Sequence, residues 1–81
     1  MKIFISIDIE GIPHVVSRQH TSLDGKLYSE ARQLMTECLT VVLDSLYESG
    51  VESSVVADGH GPMVNILPEK IPDLTENVRL T

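Results

Sequence analysis

An α/β fold with a parallel sheet is what this sequence predicts: a βαβ unit forming the N-terminal part of a larger three-layer α/β domain. Three observations carry that reading. An apolar run occupies residues 2–9, apolar residues recur with helical period through 28–49, and a second apolar run fills 51–57. Strand, helix and strand of these lengths make a crossover unit, which joins parallel strands with a strong preference for the right-handed connection.

The first strand, 2–9, sets Ile3, Ile5 and Ile7 on one face and Phe4, Ser6 and Asp8 on the other. Apolar side chains on both faces suit a strand covered on both sides. Residues 11–27 read as a long loop, with Gly11, Pro13 and the turn signal Asp24-Gly25. Loops of this length often carry function. The helix, 28–49, places Ala31, Leu34, Met35, Cys38, Val42 and Leu46 on its apolar side. Arg32, Gln33, Thr36, Glu37, Thr40, Asp44 and Glu48 fall opposite. Gly50 follows as a residue suited to the positive φ that ends a helix. Beyond the second strand, Gly61-Pro62 restarts the chain and a short helix is expected at 63–67. Pro68 and Pro72 then break regularity, and 78–81 opens a third strand.

One crossover helix covers one face of a sheet, and little local sequence is left to cover Phe4 on the other. The 81 residues are therefore expected to be the N-terminal part of a single larger domain, 1–81 supplying its first βαβ unit. Hydrophobic residues make up 42% of the chain, enough to fold. Twelve acids against six bases give a net charge of −6. Such a surface repels phosphate backbones, which argues against nucleic acid as a partner. Cys38 is the only cysteine, so it has no intramolecular disulfide partner and reads as a small buried hydrophobe. Asp8 interrupts the first apolar run too early for a secretory signal. No stretch is long enough to span a bilayer, so no membrane role and a cytoplasmic location are expected.

Two acidic motifs close the two predicted strands: Ile7-Asp8-Ile9-Glu10-Gly11 and Ala57-Asp58-Gly59-His60-Gly61. Period-two alternation puts Asp8 beside Glu10 and Asp58 beside His60. Ligand sites in parallel α/β sheets lie beyond the carboxyl ends of the strands, where both motifs fall. Two carboxylates and an imidazole there suit zinc or a similar borderline cation. Asp8, shorter and set back by one pleat, is placed to bridge a metal pair, while the longer Glu10 reaches outward to one ion. Asp58 reads as an acid behind the ligands or as a turn former. His14 and His20 lack ligand spacing and read as ordinary loop histidines. Gly59 and Gly61 let the backbone pass close to the site.

These motifs carry a resemblance. Ser6-Ile7-Asp8-Ile9-Glu10-Gly11-Ile12, Tyr28 to Glu37, Asp58-Gly59-His60-Gly61-Pro62-Met63 and Asn65-Ile66-Leu67-Pro68-Glu69 look like the N-terminal segment of the DppA-type zinc D-aminopeptidases, in order and approximate spacing. The resemblance implies a zinc aminopeptidase removing N-terminal D-amino acids from short peptides. It implies two Zn2+ per subunit, Asp8, Glu10 and His60 as metal ligands with Asp8 bridging, and a large homo-oligomer. Gly59 stands where the family usually has Ser or another small residue. The family's remaining ligands, a His and a Glu, and its catalytic His lie further along than these residues reach. The 81 residues therefore hold part of a metal site and no catalytic residue, and alone are expected to be inactive.

Two alternatives stay open. A haloacid-dehalogenase-type phosphohydrolase resembles the chain in a strand followed by Asp-x-Asp-x-Thr/Val, with Asp8 as nucleophile, Glu10 as acid/base and magnesium as cofactor. Here Glu10 stands for the Asp, Ile12 for the Thr or Val, and the second strand ends in Asp58-Gly59-His60 rather than Ser or Thr. The other alternative is a non-catalytic truncated fragment that binds metal or oligomerises.

Overall fold

The computed structural model describes residues 1–71 and 78–80. Strand β1 (Lys2–Ile7), a short helix α1 (Arg18–Thr21), a long helix α2 (Tyr28–Glu48), strand β2 (Ser53–Asp58) and strand β3 (Val78–Leu80) follow in order. Short 3-10 turns lie at Ile9–Gly11 and Pro68–Lys70. The sheet order is β1-β2-β3, and both pairings are parallel. Ile3 pairs with Ser54, Ile5 with Val56 and Ile7 with Asp58, so both strands end level, with their motifs side by side.

Helix α2 covers one sheet face. Ala31, Met35, Leu39 and Leu43 form a ridge at four-residue spacing, buried with Val56 and Ile9, and Ile5 and Ile7 pack against them. Met35 is buried as expected; Leu34 and Cys38 are partly buried and touch the core. Val42 is 40% exposed, against expectation, while Thr36, assigned to the polar side, is buried. The reason is the partner on that flank. Segment 64–67 lies along the Tyr28–Arg32–Thr36 line of α2 through four hydrogen bonds. The covered stripe is rotated toward Thr36 and away from Val42.

The helix ends as its sequence dictates. Gly50 takes φ 97°, its N–H donates to the Tyr47 carbonyl, and Val51 N–H donates to the Leu46 carbonyl. That paired closure satisfies orphan carbonyls of the last turn. The strands are displaced slightly from their predicted limits of 2–9 and 51–57. The expected short helix at 63–67 is absent: Met63 has φ 63°, outside helical space, and the 3-10 turn comes at Pro68. The third strand appears at Val78–Leu80. Pro72 and Thr81, assigned above to a break and to that strand, lie outside the described residues.

The other sheet face is open among the described residues. Lys2, Phe4 and Ser6 are exposed along β1, Phe4 at 67%, and Asp8 is exposed just beyond its end. Val55 and Ala57 of β2 pair with Phe4 and Ser6. No described helix is long and apolar enough to cross a membrane.

Candidate metal centre

The site begins with one buried side chain. Ile9 is fully buried beneath α2, and the chain turns there into a 3-10 turn rather than continuing β1. Gly11 N–H donates to the Asp8 carbonyl and Ile12 N–H to the Ile9 carbonyl, both at 3.1 Å. With Ile9 drawn inward, its neighbours Asp8 and Glu10 both project outward and are exposed. Their proximity comes from this turn, not from strand alternation, since β1 stops at Ile7. Asp8 caps the turn, its Oδ1 accepting from Glu10 N–H at 3.5 Å.

His60 arrives from β2. Gly59 N–H extends the parallel ladder to the Ile7 carbonyl at 2.8 Å, and the imidazole then stands over the end of β1. Its Nδ1 lies 2.8 Å from Glu10 Oε1 and 3.1 Å from Asp8 Oδ1. Among the described residues these three form a potential metal-binding group, with one donor atom from each within 4.8 Å of the others. The other ring nitrogen, Nε2, lies 2.8 Å from the Thr21 carbonyl oxygen at the end of α1. A carbonyl only accepts, so Nε2 carries the hydrogen, and in a neutral ring Nδ1 is a bare lone pair. That lone pair faces two carboxylates. Three converging acceptors require a proton or a cation between them, and the donor set fits a zinc-like ion. A ring N–H held by a backbone carbonyl is also how metal-bound histidines are commonly oriented.

Titration follows the same geometry. Burial opposes charge on the His60 ring. The Thr21 carbonyl, then Glu10 and Asp8, together outweigh it and hold the imidazole above its ordinary value. The Asp8 carboxyl is held below its usual range, first by its side-chain hydrogen bond with Glu10; burial works against this, and Glu10 N–H and His60 add to it.

Asp58 meets His60 through Asn65, whose Nδ2 donates both to Asp58 Oδ1 and to the His60 carbonyl. The Asp58 side chain turns to the helix side, 5% exposed, and accepts from Asn65 N–H at 2.5 Å, Ile66 N–H at 2.8 Å and Asn65 Nδ2 at 2.8 Å. Period-two parity fails here because β2 ends at Asp58 and His60 lies beyond it. His20 is buried, its Nδ1 3.0 Å from Ser17 Oγ, and His14 is exposed in the loop at φ 73°.

Sequence reasoning missed Thr21, which acts through its backbone and leaves no side-chain signal. It also gave no role to Asn65, which is fully buried. A signal was there: an amide set among Met63, Val64, Ile66 and Leu67 must find partners if buried.

Comparison with known proteins identifies the family. The sequence model of the Peptidase M55 family, described as D-aminopeptidase, matches residues 1–80. A D-aminopeptidase of Bacillus subtilis (strain 168) is 30% identical over 71 residues, covering 88% of this chain and 26% of the relative. The solved structure described as "Zn-dependent D-aminopeptidase DppA from Bacillus subtilis, a self-compartmentalizing protease" superposes with a TM-score of 0.90 at 28% identity. That superposition covers all of this chain and 28% of the other. The chain thus spans about a quarter of the length of these relatives, and with its parallel α/β fold it belongs to the Peptidase M55, D-aminopeptidase, family.

Proposed function

We propose that the full-length protein is a zinc-dependent aminopeptidase that removes N-terminal D-amino acids from short peptides. In this reading Asp8, Glu10 and His60 supply part of a dinuclear metal site, with Asp8 as the bridging carboxylate. Residues 1–81 form one part of a single larger metallopeptidase domain. The observation that carries the reading is His60 Nδ1, aimed at both carboxylates while Nε2–H is held by Thr21. The relatives' names support the substrate class, and the phrase "self-compartmentalizing", said of the Bacillus protein, supports a homo-oligomer.

Bound there, zinc would polarise a scissile carbonyl and activate water for attack. The protein's own residues prepare that point. Thr21 fixes the ring plane and leaves Nδ1 free to donate its lone pair. The Ile9 anchor presents both carboxylates from one turn. Asp58 pins the segment after His60 by three hydrogen bonds. The phosphohydrolase alternative leaves His60 without a role, although it contacts both acids.

The test is zinc content by elemental analysis beside hydrolysis of D-alanyl and L-alanyl anilides, on the full-length protein. Asp8→Ala and His60→Ala should lose zinc and D-alanyl turnover, Asp8→Ala the more severely. His14→Ala should keep both. Wild-type zinc and turnover in Asp8→Ala and His60→Ala would overturn the assignment. Magnesium dependence with phosphatase activity would favour the alternative.

A further inference from the structure

We infer that Asn65 and Tyr28 are positioning residues for His60, so that helix α2 sets the geometry of the metal centre through a side-chain relay. The inference rests on the reading of His60 as a metal ligand and extends it to residues that touch no ligand atom.

The relay is explicit in the hydrogen bonds. Asn65 is fully buried, and every polar atom of its side chain is engaged. Nδ2 donates to Asp58 Oδ1 at 2.8 Å and to the main-chain carbonyl of His60 at 2.5 Å. Oδ1 accepts from the Tyr28 hydroxyl in the first turn of α2. The main-chain carbonyl of Asn65 accepts from Arg32 Nε at 2.9 Å, one helical turn further along.

Each link constrains the next. A primary amide is nearly symmetric in shape, so only its partners decide which end is oxygen. The Asp58 carboxylate and the His60 carbonyl only accept, so they take the Nδ2 end, and Oδ1 is left to accept from the Tyr28 hydroxyl, which ties the oriented amide to α2. The Tyr28 hydroxyl thereby anchors to the helix the amide whose Nδ2 holds Asp58 and the His60 carbonyl. His60 is then held at two points, its ring by Thr21 and its main chain by Asn65. Between them, Gly61 has φ 47° and Met63 φ 63°, so the main chain between His60 and Asn65 turns sharply. Without the amide's grip that turn has fewer fixed points. Partners behind a ligand typically contribute about 10- to 100-fold to metal affinity.

The experiment measures zinc affinity of the metal-free full-length protein by competition with a chromogenic chelator, beside thermal unfolding of the same samples without metal. The main variant is Tyr28→Phe, which deletes one hydroxyl. Its matched control is Tyr47→Phe, whose hydroxyl lies 3.0 Å from Ser54 Oγ near the start of β2, at the opposite end of the strand from His60. Both lose a part-buried hydroxyl, so a purely structural effect moves both alike. Tyr28→Phe should weaken zinc binding about tenfold or more, and Asn65→Ala should weaken it further. Tyr47→Phe should bind as the parent does. Equal affinities for Tyr28→Phe and Tyr47→Phe would overturn the inference, whether or not Asn65→Ala folds. His60→Ala in the same assay separates the two readings. If it loses zinc while Tyr28→Phe does not, the relay fails alone; if it keeps zinc, the metal assignment fails and the relay with it.

Discussion

Gly25 offers the sharpest test of how the loop before α2 serves the site. A Cβ built on Gly25 would stand 2.2 Å from the Gln19 carbonyl oxygen, 2.8 Å from its carbon and 3.0 Å from its Cα. All three are backbone atoms, so no side-chain rotation relieves the contact. Carbon–oxygen contacts settle near ~3.3 Å, so Gly25→Ala forces a separation of about 1 Å. The Gln19 carbonyl also accepts from Leu27 N–H at 3.0 Å, where α2 begins, and Gln19 Oε1 accepts from Lys26 N–H at 3.0 Å. Thr21, two residues on, holds His60 Nε2 at 2.8 Å. Passed on in full, a shift of about 1 Å takes that bond beyond hydrogen-bonding range. Overpacking costs about 1–3 kcal/mol, and a lost hydrogen bond about 1 kcal/mol more. Gly11 is the control, because a Cβ there meets nothing within 4 Å. Urea unfolding and chelator competition on the full-length protein should show Gly25→Ala losing stability and zinc affinity together, and Gly11→Ala close to the parent. If Gly25→Ala matches Gly11→Ala in both, the loop does not support His60 as argued.

Asp58→Ala leaves the N–H groups of Asn65 and Ile66 and one of the two Asn65 amide hydrogens without their acceptor. It should cost about 3 kcal/mol or more in urea unfolding, and zinc affinity should fall with it. For the metal-free protein, the raised His60 pKa contributes stability that is complete below the ordinary value of 6.5 and is lost as pH rises through the raised one. The lowered Asp8 pKa contributes stability present above 3.8 and lost as pH falls through the lowered value. Denaturation midpoints against pH should therefore be highest between those ordinary values, while zinc binding, which must displace the His60 proton, should strengthen with rising pH. Phe4→Ser should change the 81-residue chain by less than about 0.5 kcal/mol, since Phe4 is 67% exposed there. It should cost the full-length protein about 3 kcal/mol or more if the rest of the domain covers that face, and equal small effects in both would refute that covering.

The sequence by itself determined the βαβ order, the parallel pairing and the positions of Asp8, Glu10 and His60 at the strand ends. Those follow from local rules: apolar periodicity, the Gly50 stop and the crossover constraint act over short stretches of chain. It also marked the acids and the imidazole as candidate ligands, since residue type alone fixes donor chemistry. Tertiary structure decided the rest. Glu10 joins Asp8 because Ile9 is pulled beneath α2 and bends the chain, an outcome of core packing rather than strand parity. Val42 is exposed and Thr36 buried because segment 64–67 docks on one flank of the helix. Asp58, placed by parity beside His60, accepts from Asn65 and Ile66 and meets the His60 main chain through the Asn65 amide. The Thr21 carbonyl could not be read from any side chain, because its contribution is a main-chain oxygen delivered across 39 residues. Period and composition describe what each segment prefers alone; which backbone oxygen meets which ring nitrogen is settled only when the segments pack.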